Sequence, residues 1–354
     1  MVNTQRLTDI LSMRRAHNSF GEQAFIDTYL TPLEPMAYMN NAGEALAYVV
    51  VIDKRTSDKD TEPRDANNIL WSCHIDTMHS ATPELTQEIW IDDLTHTAFV
   101  TDKSDCLGAD DGAGVWLLLE MIDAGVEGTY IFHRGEERGC WGSGQMVDLY
   151  PDWLEGFTHA IAFDRRGTTS IITHQRGERA CSEQLSKAFA GLLKLGHTSD
   201  PTGIYTDTAE YMHLIPECVN VSIGYEHEHG SSETLDIDYV LSLRNAMVSV
   251  DWVRANLPVS RDKNILEYDD NWSYAGYRVT GLQPDSLLDP YNIPSLKDLL
   301  KCRMTDIEDW IDETRTENVA YLINDLVDLA CQAMYHADED DDDDTDMYLK
   351  AGMM

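Results

Sequence analysis

Between about Ala45 and Gly230 the sequence alternates short, β-branched apolar runs with longer helix-patterned segments, and this alternation leaves few architectures open. ALAYVVVID and NNILWSCHID read as strands, the second ending in His74 and Asp76. IWIDDLTHTAFVTD alternates apolar and polar residues around a polar turn, as a hairpin does. GAGVWLLLEMIDAG reads as a helix with Val115, Leu118, Leu119 and Ile122 in one stripe and Gly125 as its stop. TYIFHRGEE, HAIAFDRRG, SIITHQ and CVNVSIGYEH read as further strands. SEQLSKAFAGLLKLG reads as a helix capped by Ser182, and YVLSLRNAMVSVDWVRANL as a long amphipathic one. Strands joined through helices pair mostly in parallel and need cover on both sides. The expected fold is therefore α/β: a three-layer sandwich with a mixed, mostly parallel central sheet and helices on both faces, plus a small helical C-terminal extension.

The N-terminal stretch MVNTQRLTDILSMRRAHNSF reads as a helix with Leu7, Ile10 and Leu11 on one face, without the basic, apolar and small-residue order of a signal peptide. After Pro258 the periodicity fades and Gly and Pro breaks appear. The expected organisation is one α/β domain over 1–258, a linker over 259–293, a helical extension over 294–336 and an acidic disordered tail over 337–354. In the extension, TENVAYLINDLVDLACQAM places Val319, Leu322, Ile323, Leu326 and Leu329 on one face. That face is expected first to dock on the main domain, with a homodimer or a partner protein as the other readings.

The net charge of −37 excludes a basic groove for nucleic acid and disfavours an anionic membrane surface. No apolar run is long enough to span a bilayer. The seven cysteines are scattered and odd in number, which argues for a reducing, cytoplasmic setting and against a disulfide framework.

Ligands of open α/β sheets collect at the carboxyl ends of strands. Those ends carry His74 and Asp76, then Asp110 and Asp111 ahead of a helix, then Glu136 and Glu137, Asp164, and finally His227 and His229. Each has an ordinary explanation alone. His74 could be a satisfied core histidine, one of Asp110 and Asp111 a helix cap, Asp164 a partner of Arg165 or Arg166, and the Glu136–Glu137 pair two solvated acids. Together they form a set of hard and borderline metal ligands, all placed where strands stop. Two Zn2+ ions sharing an anionic bridge need such a set, and a further carboxylate to move protons. Adjacent glutamates can divide that labour, one ligating and one staying free as a base.

The set resembles the co-catalytic di-zinc exopeptidases, the aminopeptidase and tripeptidase or carboxypeptidase relatives that share one metallopeptidase fold. HID is similar to their His-x-Asp element, LGADDGAG to their Gly-Ala-Asp-Asp element and EERGCWGS to their Glu-Glu-x-Gly-x-x-Gly element. FDRRG supplies the later Asp, and HGSSE resembles the closing His with Glu233 after it. The resemblance spans roughly Leu11 to Leu257, and it is the order of five weak elements that makes it specific. It implies that His74, Asp110 and Asp164 hold one ion and that Asp110, Glu137 and His229 hold the other. It further implies that Glu136 is the general base and that Asp76 orients His74. His229 is preferred over His227 by its spacing to Glu233. The resemblance also implies a cis bond after Asp110, as is often found in the family. The expected cofactors are two Zn2+, with Co2+ or Mn2+ also suited to the ligands.

Asp164 and His229 are too close in sequence for an inserted lid or dimerisation domain, so the resemblance is to the single-domain, aminopeptidase-like form. Asp207 in GIYTDTAEY could meet a free amino terminus, whereas Arg165 could clamp a carboxylate. These cues point to opposite ends of a peptide. The implied activity is exopeptidase cleavage of short peptides by a metal-bridging hydroxide, with an N-acyl amino acid amidohydrolase, a carboxypeptidase or a non-catalytic binding module as rival readings.

Overall fold

The computed structural model describes residues 4–53, 68–101 and 103–265. Most of the expected linker, the helical extension and the acidic tail lie outside the described residues. The strands are β1 (Met36–Met39), β2 (Ala45–Ile52), β3 (Ile69–His74), β4 (Ile89–Ile91), β5 (Thr97–Val100), β6 (Gly128–His133) and β7 (His159–Arg165). They continue with β8 (Ser170–Ile172), β9 (His174–Gln175), β10 (Glu178–Arg179), β11 (Thr198–Asp200), β12 (Glu217–Ser222), β13 (Tyr225–Glu226) and β14 (Thr234–Asp236). The α-helices are α1 (Thr4–Leu11), α2 (Phe20–Phe25), α3 (Ala109–Asp123), α4 (Trp141–Leu149), α5 (Pro151–Leu154), α6 (Glu183–Leu193), α7 (Asp207–Glu210) and α8 (Ile237–Ser249).

Eight strands form the central sheet in the order β1-β2-β6-β3-β7-β12-β8-β11. The middle four, β6-β3-β7-β12, run parallel, while β2 and β8 flank them antiparallel. This is the expected mixed, mostly parallel sheet. Every residue of β3 and β12 is buried, as is β7 up to Asp164. Continuous apolar runs suit strands covered on both faces. On one face α3 packs against β3 and β7 and is itself covered by α1 and α8, while α4 and α7 pack on the other.

The stripe expected on α3 is a full sheath instead. Every residue from Ala109 to Ile122 is buried, because α1 and α8 enclose the helix away from the sheet. Its one buried acid beyond the first turn, Glu120, is met by Arg6 from α1 and Arg244 from α8, each at 3.3 Å. Leu7, Ile10 and Leu11 are buried, as the N-terminal pattern requires. Ser182 caps α6 by accepting the Leu185 amide.

Three segments depart from the sequence reading. CVNVSIGYEH is two strands, because Gly224 adopts φ +99° and turns the chain out of the main sheet. SIITHQ divides after Ile172, and β9 pairs with β10 rather than within the main sheet. α8 stops at Ser249, where Val250 turns extended. The Trp252 indole then folds back to donate to the Met247 carbonyl and packs on Trp71 and Phe189.

The expected hairpin is present as β4–β5. With β13 and β14 it forms a second, antiparallel sheet in the order β13-β14-β5-β4. The loop between β13 and β14 carries His229, so this sheet braces one side of the site. Among the described residues no helix is long and apolar enough to cross a membrane. Cys73, Cys106, Cys140, Cys181 and Cys218 are buried and free.

Candidate metal centre

The parallel block places its strand ends on one edge. In the β3–β6 register His74 lies opposite His133, and the chain leaving β6 reaches Glu136 and Glu137 three and four residues later. Asp164 sits near the end of the neighbouring strand β7.

Asp110 is the centre of the cluster. Its Oδ1 lies 3.1 Å from His74 Nε2 and its Oδ2 lies 3.1 Å from His229 Nε2, so one carboxylate spans two imidazoles. Asp164 Oδ1 approaches His74 Nε2 at 3.7 Å, and Glu137 Oε2 approaches His229 Nε2 at 3.3 Å. All five residues of the expected ligand set therefore converge. His229 faces the cluster, and its ring is half exposed, whereas His227 lies exposed in the same loop. The Asp110–Asp111 peptide bond is cis.

The two aspartates have different work. Asp111 Oδ1 accepts the Gly114 amide at 3.0 Å, which is capping of the helix that follows. Its Oδ2 accepts the His74 amide at 3.2 Å. Asp110 caps nothing.

Asp76 faces His74 and also does work the sequence did not suggest. His74 Nδ1 meets the Asp76 backbone carbonyl at 3.0 Å, while the Asp76 carboxylate is 3.7 Å from that nitrogen. The carboxylate also accepts the amides of Gly135 (2.8 Å), Glu136 (3.2 Å) and Glu137 (3.3 Å). It pins the turn that presents both glutamates. That turn is a single 3-10 helical turn between Gly135 (φ +75°) and Gly139 (φ +73°), two left-handed positions that favour glycine.

Further supports were not singled out in the sequence. Thr206 and Tyr225 donate hydroxyl hydrogens to Asp164 at 2.6 and 3.0 Å. Asn220 fixes the Asp164 backbone from both sides. Glu233 accepts the amides of Gly108 and Asp110 at 2.9 Å each, so the Glu after the closing His holds the bridging Asp in place. The HGSSE spacing was the only sequence signal for this role.

Of the two substrate candidates, Arg165 is engaged by Asp200 at 3.7 Å and Thr202 at 3.0 Å. Asp207 is buried and accepts the Ser143 hydroxyl at 2.5 Å.

The cluster is crowded with buried acids. Burial raises Glu136 well above the ordinary carboxylate range and also raises Glu137. Burial and the Asp110 charge raise Asp164, and burial pushes Glu233 up to about 7. Burial opposes the charged form of Asp110, but hydrogen bonds from His229 and His74 outweigh it and hold Asp110 low. Burial likewise disfavours the two imidazolium ions, yet bonds to Asp110 and its neighbours raise both His74 and His229. The site attracts positive charge.

The residues fit divalent ions. The ligand atoms of His74, Asp110 and Glu137 lie within 4.8 Å of one another, as do those of His74, Asp111 and Asp164. Glu137 Oε1 is buried without a hydrogen-bond partner among the described residues, an uncommon state for a carboxylate unless an ion is to meet it. Imidazole with carboxylate oxygen suits Zn2+, and Co2+ or Mn2+ as well.

No protein-family model matches the chain, and no curated protein matches it in sequence. Solved structures do match in fold. The aminopeptidase PepT from Bacillus cereus superposes with a TM-score of 0.54 at 12% identity, covering 72% of this chain and 99% of that one. A tripeptidase from Staphylococcus aureus gives 0.53 at 13%, covering 72% and 98%. An aminopeptidase from the archaeon Desulfurococcus kamchatkensis gives 0.51 at 11%, covering 71% and 97%. The chain thus has the α/β fold of solved aminopeptidases and tripeptidases.

Proposed function

We propose that the chain is a two-metal exopeptidase that removes residues from the amino end of short peptides. The observation that carries this reading is the Asp110 carboxylate, each oxygen 3.1 Å from a different imidazole, with Asp164 and Glu137 outboard. His74, Asp110 and Asp164 would hold one ion; Asp110, Glu137 and His229 would hold the other. When bound, such ions polarise a carbonyl and make a water acidic at neutral pH.

The chain's own residues supply the remaining chemistry. Glu136 is the proton carrier: one carboxylate oxygen takes a proton from water and returns it to the leaving amine. Cys140 Sγ meets Glu136 Oε1 at 3.6 Å, a weak contact that leaves the oxygen basic. Asp76 fixes the Glu136 backbone, and so the origin of that side chain. Asp111 and Glu233 hold the segments on either side of Asp110. The acid-rich surroundings favour a cationic amino terminus over a carboxylate, and Arg165 is already paired with Asp200.

The test is hydrolysis of a tripeptide panel by zinc-loaded protein, with each peptide in free and N-acetylated form. Release of the first residue from free peptides only supports the aminopeptidase reading. Release of acetate from the N-acetylated peptides moves the site to the deacylase reading, and no turnover by metal-loaded protein rejects hydrolysis.

A further inference from the structure

Arg15 is fully buried, yet forms no salt bridge among the described residues. Arginine keeps its charge when buried. Its donors instead go to main-chain carbonyls: Nη1 to Ile10 at 2.6 Å, Nε to Ile75 at 2.9 Å and Nη2 to Gly108 at 3.2 Å. Ile75 lies between His74 and Asp76, and Gly108 lies two residues before Asp110. One planar group therefore joins the segment after β3 to the segment before α3. The backbone adds to the tie, since the Thr77 amide donates to the Arg15 carbonyl at 2.9 Å and the Arg15 amide to Thr77 Oγ1 at 3.3 Å.

A plain structural tie for the end of α1 needs only the Ile10 carbonyl. The other two acceptors belong to the two segments that carry His74 and Asp110. Asp111, Asp76 and Glu233 are also within electrostatic reach of the guanidinium, which gives this acid-rich region a fixed positive charge from behind.

We infer that Arg15 is a positioning residue for the metal centre: by holding the Ile75 and Gly108 carbonyls together, its buried guanidinium sets the spacing between His74 and Asp110. This rests on the reading of the cluster as a metal centre. The ion shared by His74, Asp110 and Asp164 depends on that spacing at two of its ligands. The ion at Asp110, Glu137 and His229 depends on it at one.

The test is zinc titration of metal-stripped protein by calorimetry, comparing wild type with Arg15→Lys, which keeps the charge but lacks the planar fork. The same titrations in His229→Ala and Asp164→Ala backgrounds assign the two binding steps. The expected result is a roughly 10- to 100-fold weaker ion on the His74 side, the usual range for loss of an outer ligand support. The His229-side ion should weaken less, and the melting temperature in EDTA should fall in either case, because buried main-chain carbonyls lose their donors. Equal affinities, or equal loss at both steps, would leave Arg15 a structural tie and overturn the inference. A wild type that takes up no zinc rejects the metal-centre reading itself, and this inference with it. If Arg15→Lys does not fold, Gly112→Ala replaces it, since a Cβ there falls 2.8 Å from Arg15 Nη2 and displaces the guanidinium. The same unequal loss is then expected, and its absence overturns the inference.

Discussion

Glu136 and Glu137 are neighbours in different surroundings. Glu137 points an oxygen at His229, 3.3 Å away, while Glu136 has only a thiol close to its Oε1. Glu136→Gln should therefore retain bound metal and lose turnover by about 100- to 10,000-fold, the usual contribution of a positioned acid–base group. Metal analysis and peptide kinetics on one preparation check both halves. Asp76→Ala leaves three turn amides without their acceptor and should lower stability by roughly 2 kcal/mol or more, measured by urea unfolding in EDTA. The converging residues were legible in the sequence because a ligand in this kind of sheet must emerge where a strand stops. His74, Glu137 and Asp164 all obey that rule. Their supports were not legible, since hydrogen-bond partners are chosen by proximity in the fold. Glu233 reaches Asp110 across 123 positions, and Tyr225 reaches Asp164 across 61. Asp76 shows the same limit: its backbone carbonyl and carboxylate both face His74 Nδ1, but the three turn amides that its carboxylate also holds were not legible.

Among the elements, β3, β7 and α3 were the easiest to place, because each is mostly apolar and largely buried. What the pattern could not show was where a strand changes sheet. Gly224 is such a point: its φ is +99°, and a Cβ there would fall 2.8 Å from the Tyr239 ring. Gly224→Ala should cost about 1–3 kcal/mol, measured by chemical denaturation, as a strained backbone position does. The segment after β3 carries a pH dependence of its own. His79 stands between Thr77 Oγ1 (2.7 Å) and Gln87 Oε1 (2.9 Å), an arrangement one ring proton satisfies. Burial pulls it from 6.5 down to about 4, with Arg14 and Arg15 also disfavouring the charged ring, against opposing pulls from Gln87 and Asp105. Between those values the unfolded chain binds a proton that the folded chain does not. Its contribution to stability is complete above about pH 6.5 and is lost as the pH falls toward 4. Unfolding free energies from pH 7 to 4.5 should fall less steeply in His79→Asn than in wild type.

For the whole molecule, the eight-stranded sheet, the bracing small sheet and the enclosed α3 all deliver acids to one edge. A chain with a net charge of −37 then concentrates buried carboxylates around two imidazoles. Bound cations should relieve that crowding. Free zinc at about 100 times its dissociation constant should stabilise the fold by about 2.7 kcal/mol for each ion bound only by the native state. A scanning melt with zinc and with EDTA would read this as a higher and a lower melting temperature. The expected homodimer through the C-terminal helices falls outside the described residues, and sedimentation of the full chain addresses it separately. The most direct test of the central claim is metal content per chain in freshly purified wild type, alongside Glu137→Ala and His229→Ala. About two zinc ions in wild type, with loss in both variants, is the result expected of a bridged pair. Wild-type protein that binds no transition metal, even with zinc offered at neutral pH, would contradict it.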